Sequence, residues 1–277
     1  MNRDYTSPDQ CADRRSANAS ADVATSDAVA SLIAMARPCR RIVAFTGAGI
    51  STESGIPDYR GPGGVWERQA PPTLADFVSN PETRRTYWEQ RRVNYPALVA
   101  ARPNDGHRAL ARLERAGRLL CVVTQNIDGL HQMAGHAPER VIELHGSAHT
   151  VRCLDCGTTW PAAIVQTRLA TGESVPACEI CGGPLRAATI LFGESLLRQA
   201  LRRAFTVAAA CDLMLVVGSS LIVNPAAQVP VVAKRAGAHV ALVNRTSTPL
   251  DTLADVRVSG EAGATLAALT DALLGDE

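Results

Sequence analysis

A short apolar run that ends in a glycine-rich turn constrains this chain more than any other feature of its sequence. Residues 42–45 read IVAF and are followed directly by TGAGIS. Glycines after a buried strand permit a tight turn and close backbone approach to a ligand, and the N-terminus of a following helix favours an anion. The pattern predicts a phosphate-cradling turn in an α/β sheet, although such turns also occur where no ligand binds.

A second apolar run, residues 119–123, leads into the sequence TQNIDGLH, and the first glycine turn is followed by Asp58, Tyr59 and Arg60. In an open α/β sheet, polar residues at the carboxyl ends of the strands line the ligand crevice. Two strand ends rich in amide and acid groups therefore predict one cleft for a nucleotide with many hydroxyls.

The remaining chain alternates apolar runs with helical patterns, which implies a parallel sheet covered by helices on both faces. The fold class predicted is therefore α/β with a doubly wound parallel sheet. Asn104 is expected to cap a helix that Gly117 ends, and Asn224 with Pro225 to begin another. Further strands are predicted over residues 141–144, 213–217, 240–243 and 256–258.

Two C-x2-C pairs stand 25 residues apart, counted between their first members, in a stretch with few large apolar side chains. This spacing supplies four thiolates in tetrahedral geometry, and four cysteine ligands close a zinc site, so that the metal is structural. The expected ligands are Cys153, Cys156, Cys178 and Cys181. Two alternatives are four unrelated thiols and a zinc ribbon that binds nucleic acid. Asp155 and Glu179 lie inside the two pairs, and their negative charge argues against a zinc ribbon that binds nucleic acid.

Composition narrows the class of protein. The chain has 277 residues, 46% of them hydrophobic, and a net charge of +1, which gives no electrostatic basis for direct nucleic-acid binding. An apolar run of membrane-spanning length and a signal-peptide pattern are both lacking, so no membrane association and a cytoplasmic location are expected. Cys121 and Cys211 lie in or beside apolar runs and are expected to be buried, inert thiols.

The order of motifs resembles the sirtuin (Sir2) family of NAD-dependent protein deacylases, and within it the class II-like members. In order, the motifs are GAGIS with GIPDYRG, PNDGH, TQNIDGLH, ELHG, the two C-x2-C pairs, FGE, VGSSLIVNP and VNR. The resemblance implies a Rossmann-like large domain, a small zinc-binding module and a helical insertion. It implies NAD as co-substrate, one structural Zn²⁺ and acylated lysine side chains of proteins as partners. The products implied are nicotinamide, O-acyl-ADP-ribose and free lysine.

The resemblance also implies boundaries and site residues. The large domain covers 26–60, 104–147 and 189–277, the helical insertion with the cofactor loop 61–103, and the zinc module 148–188, after a disordered tail over 1–25. The catalytic residues are His145, which takes the family's general-base position in ELHG, and Asn126. The NAD contacts are Gly47, Ala48, Gly49, Ile50, Asp58, Tyr59, Arg60, Gln125, Asn126, Ile127, Asp128, Gly218, Ser219, Ser220, Asn244, Arg245 and Ala262. The peptide contacts are Phe192, Gly193, Glu194, Leu221 and Val223.

Two departures from the family pattern bear on activity. Ala187 and Ala188 stand where members often have proline, and a local backbone difference is expected. Members that act on short acidic acyl groups carry Tyr-x-x-Arg, whereas this chain has Trp88-x-x-Arg91, so poor desuccinylation is expected. Two rival functions remain open: an ADP-ribosyltransferase or NAD hydrolase on the same fold, and a non-catalytic NAD- or zinc-binding module. No acyl chain, protein substrate or oligomeric state is predicted.

Overall fold

The computed structural model describes residues 25–58 and 72–275. The tail predicted over residues 1–25 lies outside these ranges except for Thr25, which already belongs to a helix. Tyr59, Arg60 and the first part of the predicted cofactor loop also lie outside them.

The elements of the described chain alternate between strand and helix along most of its length. The strands are β1 (Ile42–Thr46), β2 (Leu119–Thr124), β3 (Val141–Glu143), β4 (Gly146–Cys153), β5 (Thr159–Pro161), β6 (Leu185–Thr189), β7 (Leu213–Val217), β8 (His239–Val243) and β9 (Val256–Val258). The helices are α1 (25–36), α2 (Leu74–Ser79), α3 (Pro81–Ala100), α4 (Asp105–Arg115), α5 (Leu130–Met133), α6 (Ala162–Ala170), α7 (Arg198–Ala210), α8 (Gln228–Arg235) and α9 (Ala262–Leu274). Short 3-10 helices span Ala48–Ser54, Pro138–Arg140 and Asp251–Leu253.

The larger sheet has six strands in the order β3-β2-β1-β7-β8-β9, and every neighbouring pair is parallel. The central strands β1 and β7 are buried at every position, as expected for apolar runs covered on both faces. The predicted α/β, doubly wound fold is confirmed. The strands predicted from the sequence are found to within one residue at each end.

Two apolar cores lie on opposite faces of this sheet. Ile42 and Ala44 of β1 point into one core, where α1, α4 and α9 pack. Val43 and Phe45 point into the other, which α7 and α8 cover. Because successive side chains of a strand alternate between faces, one four-residue run contributes to both cores.

A smaller antiparallel sheet, β5-β4-β6, carries the cysteine pairs and packs against the helical insertion. Trp88 and Tyr95 of α3 are buried with Val151, Val165 and Leu169 of this module. The sequence of the module itself offers little to bury, and the structure shows that a distant helix completes its core.

Two of the helix-end predictions are confirmed and one is wrong. Asn104 caps α4 through bonds to the N–H groups of Gly106 and His107, and Gly117 follows its end in a left-handed conformation. Asn224 does not begin a helix, because α8 starts only at Gln228. Residues 224–227 form turns instead, and the Asn224 side chain accepts a bond from the Gln228 side chain.

None of the helices in the described ranges combines the length and the apolar character that a membrane span requires.

Three histidines form a buried cluster beneath the carboxyl ends of β1 and β2. The His131 ring lies 4.9 Å from that of His107 and 5.5 Å from that of His136, centroid to centroid. Burial lowers the pKa of His107 to about 3 and holds the pKa of His131 well below its ordinary value. Burial also lowers the pKa of His136, partly offset by its bond to Glu114. The folded state thus disfavours protonation of these rings, most strongly of His107 and His131.

We expect the free energy of unfolding to fall as the pH is lowered from 6.5 towards 5. The unfolded chain binds protons at histidine below pH 6.5, whereas the folded chain excludes them from His107 and His131. Each such histidine contributes a slope of up to about 1.4 kcal/mol per pH unit. The free energy of unfolding, measured with urea at several pH values, should depend less steeply on pH in His107→Gln than in wild type. His239→Gln, at an exposed site, is the control and should keep the pH dependence of wild type. Parallel slopes for all three proteins would contradict this expectation.

Candidate active site at the switch point of the sheet

The order of strands in the six-stranded sheet reverses between β1 and β7. From β1 the chain builds β2 and β3 on one side, and from β7 it builds β8 and β9 on the other. In sheets of this kind the two connections diverge at that point and leave a crevice beyond the carboxyl ends of the strands. Here the turns that follow β1 and β7 meet, through bonds from the Gly47 N–H to the Val217 carbonyl and from the Gly49 N–H to the Gly218 carbonyl.

The contact between these turns requires glycine on both sides. A Cβ at Gly47 would lie 2.7 Å from the Gly218 carbonyl oxygen, and one at Gly49 would lie 2.6 Å from the Gly218 Cα. Gly218 also has φ of +61°, in the left-handed region that side chains disfavour. Two backbone turns with no side chains between them therefore line one wall of the crevice, a surface suited to a pyrophosphate.

The crevice is a cleft of about 1300 Å³, larger than a typical pocket for one small molecule. Most of the residues predicted for catalysis, NAD binding or peptide binding line it. These are Gly47, Ala48, Gly49, Asp58, Gln125, Asn126, Ile127, His145, Phe192, Gly193, Glu194, Gly218, Ser219, Ser220, Val223, Asn244, Arg245 and Ala262.

Three predicted contacts lie behind the cleft wall. Ile50 is fully buried in the apolar core of one sheet face, and Leu221 is buried in the core of the other. Asp128 is also buried and is engaged by protein groups. Ile222, which lies between the predicted peptide contacts Leu221 and Val223 and belongs to the same predicted edge, lines the cleft and is 56% exposed. Which of the adjacent apolar residues Leu221 and Ile222 is buried and which is exposed cannot be predicted from the sequence alone.

Asn126 is held at the bottom of the cleft by a directed chain of hydrogen bonds. Its Nδ2 donates to the Ser51 hydroxyl over 3.0 Å, and that hydroxyl donates to the Asp128 carboxylate over 2.8 Å. The second carboxylate oxygen accepts from the Leu130 N–H. The Thr124 hydroxyl also accepts from the Asn126 backbone N–H. These bonds fix both the position and the orientation of the Asn126 amide group.

His145 follows β3 and has a defined tautomer. Its Nδ1 lies 2.9 Å from the Gln125 carbonyl oxygen, which only accepts hydrogen bonds, so Nδ1 carries the proton. In the neutral ring Nε2 is then the basic nitrogen. The next residue, Gly146, has φ of +74°, and a Cβ there would collide with the Ala188 carbonyl oxygen. The bond to the Gln125 carbonyl thus holds the imidazole at the cleft that Asn126 also lines.

The loop after β6 is anchored by a buried ion pair. Arg186, 1% exposed, donates to both carboxylate oxygens of Glu194 over 2.8 and 3.0 Å and to the Thr189 carbonyl oxygen over 2.6 Å. The Leu191 N–H also donates to Glu194. The Glu194 carboxylate is therefore engaged inside the protein, although the residue lines the cleft. We call this pair the Arg186–Glu194 clamp.

The four predicted cysteine ligands form one cluster whose geometry fits zinc. All four Sγ atoms lie within 4.8 Å of one another, with Cys153 3.5 Å from Cys181 and Cys156 3.7 Å from Cys178. Tetrahedral coordination with Zn–S bonds of about 2.3 Å places the sulfurs about 3.8 Å apart. The distances match those of a closed, structural site. Cys121 and Cys211 are buried elsewhere, and burial raises the pKa of these thiols to about 12 and about 11.

We expect the purified protein to hold about one Zn²⁺ per chain and to lose the packing of the small module when the metal is removed. Trp88, buried between α3 and this module, should then enter water and shift its fluorescence to the red. Cys181→Ser should lower the zinc content, while Cys121→Ala, a thiol outside the cluster, should not. Full zinc content in Cys181→Ser would contradict the assignment.

Comparison with known proteins identifies the family. The model of the Sir2 family matches residues 47–225. "NAD-dependent protein deacetylase 1" of Bradyrhizobium diazoefficiens is 46% identical over 232 residues, which cover 84% of this chain and 91% of that protein. "NAD-dependent protein deacylase 2" of Pyrobaculum aerophilum is 43% identical over 243 residues, which cover 88% of this chain and 94% of the other.

Solved structures give the same result. A structure described under the mechanism and regulation of Sir2 enzymes has a TM-score of 0.81 and 39% identity, and the match covers 89% of this chain and 98% of that one. A Sir2 complex with a p53 peptide and NAD⁺ has a TM-score of 0.77 and 36% identity over 85% of this chain and 94% of that chain. The match to the family model, the sequence identities and the shared fold together show that this chain belongs to the Sir2 family.

Proposed function

We propose that this chain is an NAD-dependent protein lysine deacylase in which His145 is the general base. One observation supports this most: the Nδ1–H of His145 is bound to the Gln125 carbonyl, which leaves Nε2 as the basic nitrogen at a cleft of dinucleotide size that the fixed amide of Asn126 also lines. Family relatives bear deacetylase and deacylase names, and a related structure contains peptide and NAD⁺.

NAD would lie across the switch point. The backbone of Gly47, Gly49 and Gly218 suits the pyrophosphate, because no side chain stands between those turns and the cleft. The hydroxyls of Ser219 and Ser220, with Asn244 and Arg245 beyond them, suit the adenosine side. When bound, NAD supplies a ribose carbon that becomes electrophilic as nicotinamide leaves, and it carries the acyl group away as O-acyl-ADP-ribose. Tyr59 and Arg60 are proposed contacts on the resemblance alone.

The residues at the bottom of the cleft would hold the nicotinamide and its ribose in one orientation. Asn126 is fixed by Ser51 and Asp128, so these dipoles need not reorganise when charge develops on the ribose. Gln125 donates to the Ser219 hydroxyl over 2.7 Å and so ties the β2 end of the cleft to the β7 turn. His145 would accept a proton from a ribose hydroxyl at Nε2, which its tautomer leaves basic.

The acylated lysine would enter between two exposed edges. Phe192 and Gly193 lie on one, and Ile222 and Val223 on the other, and all four line the cleft. An extended peptide can add between such edges as a strand, and its backbone bonds give affinity with little sequence preference. The apolar side chains suit the methylene stem of lysine. A cytoplasmic location stays a prediction from the sequence.

We expect nicotinamide release from NAD to require an acylated lysine peptide and to fall by about 10²–10⁴-fold in His145→Ala, since that is the usual contribution of a general base. The assay compares peptides with acetyl, succinyl, medium and long acyl groups and an unmodified peptide, using zinc-loaded protein. His239→Ala is the control, because His239 is an exposed residue at the start of β8.

The same assay separates the rival functions. Equal nicotinamide release with the unmodified peptide would indicate NAD hydrolysis or ADP-ribosyl transfer. NAD binding without release for any peptide would indicate a binding module.

We expect succinyl-lysine to be a poorer substrate than acetyl-lysine. Trp88 is 1% exposed, and Arg91 donates to the Ala148 carbonyl oxygen over 2.5 Å and lies 4.6 Å above the Tyr95 ring. The Arg91 guanidinium is therefore engaged in these contacts, and Arg91 is not one of the described residues that line the cleft. Rates measured with matched succinyl and acetyl peptides test this, and succinyl turnover equal to or above acetyl turnover would refute it.

We expect loss of the Arg186–Glu194 clamp to raise the KM for the acyl peptide while leaving NAD affinity unchanged, because the clamp holds the loop of Phe192 and Gly193. Arg186→Gln should also cost about 3–5 kcal/mol of stability, since it leaves a carboxylate unpaired. The double variant Arg186→Met/Glu194→Leu removes both charges and should recover stability but not peptide KM. Recovery of both would show that the clamp acts on stability alone.

A further inference from the structure

Helix α7 carries three exposed arginines and no acidic residue. Arg198, Arg202 and Arg203 lie on its solvent side, while Ala204 and Ala208 on the opposite side are buried in the core. The chain as a whole is nearly neutral, at +1. These three arginines, here called the α7 arginine surface, are therefore a local concentration of positive charge.

No acidic side chain of the described residues forms an ion pair with the α7 arginine surface. Arg203 donates to a carbonyl oxygen, that of Glu139. Glu194, the acidic residue of the adjoining loop, is neutralised by Arg186 in the clamp. The positive charge of this surface thus stays uncompensated within the described chain.

The placement of these charges is unfavourable for the helix itself. Arg198 is the first residue of α7, where a cation opposes the helix dipole, and the first turn contains no acid. Arg198 and Arg202 are four residues apart, a spacing at which like charges repel. A bound anionic group would relieve both effects.

The α7 arginine surface is continuous with the cleft. Arg198 lines the cleft together with Phe192, and it also lines a second groove of about 700 Å³ along α7. That groove is bounded further along by Arg202 and Arg203. A chain that leaves the cleft past Phe192 therefore passes the arginines.

We propose that the α7 arginine surface binds acidic residues that flank the acylated lysine, so that this protein prefers acidic segments of its protein substrates. The proposal rests on the proposed deacylase function, because it takes the cleft as the place where acyl-lysine binds. Backbone addition of the peptide gives little sequence preference. Charge on the flanking residues then supplies the discrimination, and this discrimination is sensitive to salt.

The test uses three acetyl-lysine peptides of equal length whose flanking residues are Glu, Gln or Lys. Dissociation constants are measured by fluorescence anisotropy on the zinc-loaded full chain, and kcat/KM is measured with NAD. We expect wild type to bind the Glu-flanked peptide about tenfold more tightly than the Lys-flanked one at low salt, as two or three exposed charge pairs provide. The difference should shrink at high salt.

Two charge reversals locate the effect. Arg202→Glu should abolish or invert the Glu-over-Lys preference and leave the Gln-flanked peptide unchanged. Arg235→Glu, an exposed arginine at the end of α8, should keep the preference of wild type. Equal affinity for the three peptides in wild type, an unchanged preference in Arg202→Glu, or the same loss in Arg235→Glu would overturn the proposal. If the peptides bind as expected but none is deacetylated, the proposed function fails and the surface assignment stands.

Discussion

The direct contact between two glycine turns, one after β1 and one after β7, is the constraint on which the site depends. Because a Cβ at Gly49 would lie 2.6 Å from the Gly218 Cα, both turns must lack side chains to meet. Their meeting point is where the strand order of the sheet reverses, so the crevice there is lined by glycine backbone. Beside it, Gln125, which follows β2, donates to the hydroxyl of Ser219, which follows β7.

The second sheet is joined to the first through the catalytic candidate. His145 lies between β3 of the large sheet and β4 of the small one, and its carbonyl accepts a bond from the Ile190 N–H. The Arg186–Glu194 clamp then closes the loop after β6 beside it. The zinc cluster holds the far end of that small sheet. A structural metal site can therefore affect the substrate edge through the strands that connect them.

The sequence predicted the elements with strong local signals and missed those set by distant packing. Apolar runs predicted all six strands of the large sheet, and Asn104 and Gly117 marked the ends of α4, because caps and buried strands depend on adjacent residues. The late start of α8 depends on turns, not on capping preference. The burial of Leu221 and the packing of Trp88 on the zinc module depend on residues far along the chain. The engaged carboxylate of Glu194 depends on the turn after β6, which brings it back to Arg186.

Titration of NAD into Gly218→Ala and Gly55→Ala tests the central claim most directly. Both glycines have left-handed backbones, but a Cβ at Gly218 meets the Gly49 turn, whereas one at Gly55 meets nothing. The two variants therefore share the backbone cost and differ in the contact between the turns. We predict that Gly218→Ala loses at least about tenfold in NAD affinity relative to Gly55→Ala. Equal affinity in both variants would contradict the account of the glycine contact as the basis of the site.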